Sequence, residues 1–112
     1  MTDSLFKFRR YKKRQGKKKI KHPKLIVDDY KNEFGFMGLT SSKTKGRGHK
    51  NIPLYENPQI INGQKSSEKS YLRRKIEYDE KRSFEEILSD YVLSDVDKER
   101  LIPYVKKHKK KR

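Results

Sequence analysis

Apolar residues concentrate between positions 22 and 42, where two runs of β-favouring residues flank a short polar segment. Residues 24–27 predict one strand, which begins directly after Pro23, where a strand tolerates the missing backbone N–H. Residues 28–32 are polar and predict a turn, and residues 33–40 predict the next strand. The pattern therefore predicts a β-hairpin as the part of the chain in which folding can start.

The second of these strands carries apolar side chains on both faces. Phe34 and Phe36 point to one face, and Met37 and Leu39 point to the other, because side chains alternate along a strand. A strand that is apolar on both faces is expected at the centre of a sheet. Its two glycines predict a bulge or a tight bend, as a small barrel requires.

The rest of the chain predicts shorter and more exposed elements. Further strands are expected at residues 5–8, 51–55 and 70–78, a short helix at residues 83–89, and a final helix at about residues 95–108. Ser94, followed by acidic residues, is a strong cap for the final helix, which Pro103 is expected to kink or interrupt. These elements predict an α+β, mainly β fold: a small, strongly bent antiparallel barrel closed by a C-terminal helix.

Charge divides the chain into a neutral body and two basic arms. The net charge is +16; residues 7–24 hold 11 Lys and Arg with no acidic residue, and residues 106–112 hold six more. Residues 25–105 hold 14 basic and 14 acidic residues. We therefore predict a basic N-terminal arm at residues 1–21, a barrel with its helix at residues 22–105, and a basic tail after it. Since only 30% of residues are hydrophobic, the core must be small.

The basic arms indicate the class of partner. Such segments bind polyanions through the release of counterions, so RNA, or DNA in its place, is the expected partner. A membrane surface is disfavoured because the N-terminal arm lacks an apolar helical face. The alternative is that the arms only keep the protein soluble.

Cysteine content and apolar runs indicate the compartment. The chain contains no Cys, no apolar run long enough to span a bilayer, and no apolar signal segment after Met1. We therefore expect a cytoplasmic protein without disulfides. No His or Cys spacing matches a zinc site, so neither a metal nor a cofactor is expected.

Four short motifs follow one another along the chain. They are His22-Pro23-Lys24-Leu25-Ile26-Val27, Leu39-Thr40-Ser41-Ser42, Gly48-His49-Lys50-Asn51-Ile52-Pro53-Leu54 and Leu93-Ser94-Asp95-Val96-Asp97. In this order they resemble the motifs of the MazF/PemK-like toxin family. The resemblance implies an SH3-like barrel with a C-terminal helix, usually homodimeric. It also implies metal-free cleavage of single-stranded RNA, restrained by a cognate antitoxin.

Two family positions matter most for the implied chemistry. Thr40 retains the Thr at the end of the second strand, whereas His22 replaces the Arg that precedes the Pro. The Gly-Asp turn that usually opens the family sequence is absent. These departures leave open a relative that binds RNA or DNA without cutting it, as an accessory protein of a mobile element would. A third hypothesis is a ribosome-associated protein, because a small neutral core with basic arms is typical of proteins that bind ribosomal RNA.

Histidines and one threonine are the candidate catalytic residues. Metal-free RNA cleavage needs a base for the 2′-hydroxyl proton, an acid for the leaving 5′-oxygen, and a cation near the phosphate. Histidine can serve as acid or base because it titrates near neutral pH. We predict that His22 acts as the acid/base and that Thr40 orients the phosphate, because a hairpin places both on one rim. His49 is a second acid/base candidate. An ordinary surface or turn role is the alternative for each.

Nucleic-acid contacts are predicted on a loop and on a strand. The loop at residues 43–50 is basic and contains glycine, so its backbone can approach phosphates closely; an inert surface loop is the alternative. The strand at residues 70–78 predicts a basic face, and Tyr71 and Tyr55 are candidates for stacking on unpaired bases or, equally, for packing. The residues predicted to contact nucleic acid are Lys24, Lys43, Lys45, Arg47, Lys50, Tyr71, Arg73 and Lys75.

Overall fold

A computed structural model of the chain describes residues 5–12, 22–45 and 49–110, which form an antiparallel sheet and a C-terminal helix. The strands are β1 (Lys7–Tyr11), β2 (Lys24–Tyr30), β3 (Glu33–Thr40), β4 (Thr44–Lys45), β5 (His49–Lys50), β6 (Ile52–Pro53), β7 (Ile60–Ile61), β8 (Gln64–Lys65), β9 (Tyr71–Leu72), β10 (Glu77–Glu80) and β11 (Phe84–Ile87). A 3₁₀ helix (Lys81–Ser83) precedes β11, and the α-helix is α1 (Asp95–His108). The predicted α+β, mainly β class is confirmed.

The main sheet has the order β11-β1-β2-β3-β9-β6. The first half of β3 also pairs with β10, and its last two residues pair with β9, so β3 is bordered on both sides along most of its length. The hairpins β4–β5 and β7–β8 lie outside this sheet. Among the described residues no pairing joins β11 to β6, which leaves the described sheet open. Pro53 lies in the edge strand β6, where its missing N–H costs no ladder bond.

The β2–β3 hairpin is longer than the sequence predicted. Strand β2 continues through Asp28 to Tyr30, and only two residues, at positions 31 and 32, form the turn. The buried Asp28 carboxylate is satisfied there because the Tyr78 hydroxyl donates a hydrogen bond to it at 2.8 Å. The predicted bulge lies in β2, where the register shifts between Ile26 and Asp28, opposite the first glycine of β3. A Cβ atom at Gly35 would lie 2.7 Å from the Tyr78 ring, so only glycine fits at this position.

Two apolar clusters lie on the two faces of β3, as the alternation predicted. One face contributes Met37 and Leu39 to a core that also receives side chains from α1. The other face contributes Phe34 and Phe36, which pack with Phe84 at ring-centroid distances of 5.6 Å and 5.3 Å. The central position of β3 is therefore confirmed.

Strand β1 belongs to the folded body, although its charge had assigned it to the N-terminal arm. It lies between β2 and β11, and Phe8 is fully buried in the core that contacts α1. Tyr11 is buried in the aromatic cluster on the opposite face. The basic residues between these two positions are only partly buried, so the strand accommodates them at the edges of the core. The folded body therefore begins before residue 22.

Two predicted elements differ from the structure between residues 70 and 89. The predicted strand at residues 70–78 is two strands, β9 and β10, because β3 changes partner between them. The predicted helix at residues 83–89 is wrong: this segment forms the end of the 3₁₀ helix and then strand β11. Burial of Phe84 among the aromatic rings and pairing with β1 outweigh the helical preference of the glutamates in this segment.

Helix α1 begins at the predicted cap. The Ser94 side chain accepts a hydrogen bond from the Asp97 backbone N–H at 3.1 Å. Leu101 and Val105 bury one side of the helix against the core. The helix runs through Pro103 to His108 as one element, so the predicted interruption is not present. Because α1 ends at His108, the first residues of the predicted basic tail are helical.

Candidate nucleic-acid interface

The β2–β3 register places His22 and Thr40 at the same end of the hairpin. Lys24 lies opposite Gly38, and the backbone N–H one residue after Gly38 donates to the Pro23 carbonyl at 3.0 Å. Continuing this register sets His22 opposite Thr40, and directly opposed residues in an antiparallel pair share one face. His22 is exposed, whereas Thr40 is buried. An exposed imidazole and a fixed hydroxyl group therefore lie at the same end of the hairpin.

Two cationic side chains meet over the glycine on this face. A Cβ atom at Gly38 would lie 3.1 Å from the Arg73 Cδ atom and 3.3 Å from the Lys24 Nζ atom, so the absence of a side chain provides the space for both. The Arg73 backbone N–H donates to the Gly38 carbonyl at 2.8 Å, which fixes the start of the Arg73 side chain. The arrangement concentrates positive charge beside Thr40.

Lys24 is a buried cation, with only 6% of its surface exposed. Burial lowers the pKa of its ammonium group, and the positive charge of Arg73 lowers it further, while Glu77 acts in the opposite direction. The Nζ atom lies 6.0 Å from the centre of the Tyr11 ring. An anion that approaches this face would stabilise the protonated form of Lys24, so the position favours a negatively charged ligand.

Thr40 and Tyr71 close the end of the face. Tyr71 lies directly opposite Thr40 in the β3–β9 ladder. The Thr40 Oγ1 atom accepts a hydrogen bond from the Ser42 backbone N–H at 3.1 Å, which is the turn role considered as the alternative for this residue. The hydroxyl group keeps a proton that it can donate to a phosphate oxygen.

We call this surface the His22–Thr40 face. Its members share one side of the sheet, and it brings together five residues selected from the sequence: His22, Lys24, Thr40, Tyr71 and Arg73. Sequence reasoning missed Tyr11 and Glu77, which lie beside Lys24. Tyr11 was missed because β1 had been assigned to the arm, although its spacing from Phe8 could have extended the predicted first strand.

The other sequence-predicted residues lie on two different segments. In the β4–β5 hairpin, Lys45 pairs with His49 and the exposed Lys50 pairs with Thr44, while Lys43 is exposed at its base. An Asn51 side-chain N–H donates to the Ser42 carbonyl at 2.9 Å, so this hairpin is anchored next to Thr40. Lys75 is exposed in the connection between β9 and β10. Arg47 lies outside the described residues.

Tyr11 and Asp79 form a second polar contact on the same side of the sheet. The Tyr11 hydroxyl donates a short hydrogen bond to an Asp79 carboxylate oxygen. Burial raises the pKa of Tyr11, and this hydrogen bond and the negative charge of Asp79 raise it further, so the phenol stays protonated. The contact ties β1 to β10 across the aromatic cluster.

Comparison of the chain with protein-family models, with curated proteins and with solved structures finds no match. In the described ranges, no helix combines the length and the apolar character needed to cross a membrane. The same residues contain no group of three or more His, Asp or Glu side chains that could hold a metal ion. The interpretation of function therefore depends on the geometry of the His22–Thr40 face and on the order of the motifs.

Proposed function

We propose that this protein is a divergent MazF/PemK-like endoribonuclease that cleaves single-stranded RNA at the His22–Thr40 face without using a metal ion. The observation that supports the proposal is the β2–β3 register: it pairs Lys24 with Gly38, and its continuation by two residues would bring His22 opposite Thr40. We also propose that the fold is an SH3-like barrel. Strand β10 pairs with β3, and the chain then passes through the 3₁₀ helix into β11, which pairs with β1; this path leads from the centre of the sheet back to its other edge, as in a small barrel. The function implies a cognate antitoxin and a second copy of the chain as partners.

The proposed reaction uses the ribose 2′-hydroxyl as the nucleophile. His22 takes the 2′-hydroxyl proton while a bond forms between the 2′-oxygen and phosphorus. The bond between phosphorus and the 5′-oxygen breaks, which leaves a 2′,3′-cyclic phosphate on one product. A water molecule supplies a proton to the leaving 5′-oxygen, and the buried Lys24 ammonium group contributes positive charge below the phosphate. Arg73 and the Thr40 hydroxyl hold the phosphate oxygens, on which negative charge develops.

Each role follows from the position of its residue. His22 is exposed and can reach a bound RNA backbone, whereas Thr40 is buried and held by the Ser42 amide, which suits a residue that orients. Lys24 and Arg73 share the space over Gly38, so both charges face one ligand. A non-catalytic nucleic-acid-binding protein is the second candidate function. It is favoured by the net charge of +16, which supports binding whether or not cleavage follows.

One cleavage experiment distinguishes the proposed ribonuclease from the non-catalytic nucleic-acid-binding protein. We expect the purified protein to cut a long single-stranded RNA at discrete positions in excess EDTA, and every new upstream end to carry a cyclic phosphate. Single-stranded DNA of the same sequence is the matched control, and it should bind without being cut because it lacks the 2′-hydroxyl. Salt-sensitive binding of both strands with no cleavage of either would instead establish the non-catalytic function.

A further inference from the structure

A groove of about 540 Å³ opens beside the His22–Thr40 face. It is lined by residues 53–57 and 65–71, so its walls are the connection after β6 and the segment that leads into β9. Tyr71, the residue opposite Thr40, lines it, and so does Tyr55. Its volume lies within the range of about 300–1,000 Å³ that is typical of small-ligand sites. The groove is therefore large enough for a nucleobase, and it shares Tyr71 with the His22–Thr40 face.

Tyr55 is the most exposed large hydrophobic side chain that the structure describes, with 71% of its surface accessible. Its backbone is nevertheless fixed. The Tyr55 N–H donates to the Asp97 Oδ1 atom at 2.9 Å, and the Glu56 N–H donates to the Oδ2 atom of the same carboxylate at 3.2 Å. Asp97 is fully buried at the start of α1, so the helix holds the aromatic residue in place. A large ring is presented to solvent on a rigid support.

One side of the Tyr55 ring is already covered by a cation. The Arg100 guanidinium carbon lies 4.0 Å from the ring centre. Arg100 is itself held, because it donates to Asp97 at 2.8 Å and to the Pro53 carbonyl at 3.1 Å. With one face stacked on Arg100 and most of the residue still accessible, the exposed area of the ring lies on its edge and other face. A planar aromatic ligand can stack there, as bases do on aromatic platforms.

We propose that this groove binds one unpaired nucleobase of the RNA, stacked on the exposed side of Tyr55, next to the phosphate held at the His22–Thr40 face. This inference rests on the proposed function, because it assumes that RNA crosses that face. Lys65 and Lys69 line the groove together with Glu56 and Glu68, and Lys65 pairs with Glu56 at 3.6 Å, so the groove has balanced charge and the attraction for a base comes from stacking on Tyr55. A base within a duplex has neighbours on both faces, so stacking on Tyr55 selects single-stranded RNA.

The alternative is that the Tyr55–Arg100 stack only stabilises the surface of the fold. The two hypotheses predict different fluorescence from a bound base. The fluorescent base 2-aminopurine is quenched when it stacks on an aromatic ring, so stacking on Tyr55 would lower its fluorescence. If the Tyr55–Arg100 stack is only structural, the fluorescence of 2-aminopurine does not depend on Tyr55. The matched control is Ile87, an exposed apolar residue on the edge strand β11 that does not line the groove.

The test uses the full-length protein and a ten-nucleotide 2′-O-methyl RNA that cannot be cut, with 2-aminopurine at each position in turn. We expect one position to be strongly quenched by wild-type protein, Tyr55→Phe and Ile87→Ala. We expect Tyr55→Ala to lose this quenching and to bind about 5- to 150-fold more weakly. A thermal melt that shows Tyr55→Ala to be folded completes the comparison.

The outcomes distinguish the inference from the function on which it rests. If Tyr55→Ala binds and quenches like wild type while wild type cleaves unmodified RNA, the groove inference is overturned and the ribonuclease stands. If the expected quenching is seen but unmodified RNA is never cut, the base site is supported and the proposed activity fails. Absence of RNA binding by wild-type protein overturns both.

Discussion

Replacing His22 with alanine is expected to lower kcat/KM for RNA cleavage by about 10²–10⁴-fold, the usual contribution of a positioned acid or base. The physical reason is that His22 precedes β2 at the end of the hairpin where Thr40 ends β3. Since His22 is exposed, the substitution should leave folding intact. The measurement is the initial rate of cleavage of a short fluorescent RNA by wild type and by His22→Ala at one fixed pH.

His108 provides the matched control for this prediction. It is also an exposed histidine, but it lies at the end of α1, where its ring is 4.3 Å from the Tyr104 ring centre. His108→Ala should keep the wild-type rate. Equal rates for wild type, His22→Ala and His108→Ala would remove His22 from the mechanism.

Replacing Asp97 with alanine is expected to lower the free energy of unfolding by about 3–5 kcal/mol, because it removes one partner from a buried charged network. The Asp97 carboxylate is fully buried and accepts hydrogen bonds from the backbone of Tyr55 and Glu56. It also accepts hydrogen bonds from the Ser94 hydroxyl at 3.0 Å and from Arg100 at 2.8 Å. Alanine would leave these donors without their acceptor and Arg100 without its ion pair. Urea denaturation followed by circular dichroism measures the change.

Asp95 is the control for Asp97, because it lies in the same first turn of α1 but is exposed. Asp95→Ala removes only a favourable interaction with the helix dipole, so we expect a loss of about 0.3–1 kcal/mol. If the two variants lose the same small amount of stability, Asp97 does not anchor the segment that carries Tyr55. That result would also remove the support on which the rigidity of the Tyr55 platform depends.

Local patterns were enough to predict the β2–β3 hairpin and helix α1. The hairpin is encoded by alternation on both faces of β3, and the helix by the Ser94 cap with acidic residues in the first turn. Strand β11 could not be predicted in this way. Its partner β1 is far away in the sequence, and only that pairing, with the burial of Phe84, makes the segment a strand. Strand β1 was predicted only in part, over residues 5–8, because the charged residues that follow Phe8 concealed the second buried aromatic position, Tyr11.

The candidate site, like the fold, was predictable from the sequence only where it depends on local strand pairing. His22 and Thr40 lie at the same end of one hairpin, and the local register that pairs Lys24 with Gly38 is enough to predict this. The meeting of Lys24 with Arg73 over Gly38 depends on the pairing of β3 with a strand from a distant part of the chain, and sequence spacing does not contain it. The same is true of the groove beside Tyr71, which needs both the β3–β9 ladder and the Asp97 anchor.

Binding of RNA on the His22–Thr40 face should change the backbone amide chemical shifts of that face. The measurement is a ¹H–¹⁵N correlation spectrum of labelled protein titrated with a 2′-O-methyl RNA, which binds but cannot react. We predict that the largest shifts occur at the amides of Gly38, Thr40, Tyr71 and Arg73. Shifts confined to α1 and to the basic ends of the chain, with these four amides unmoved, would contradict the account.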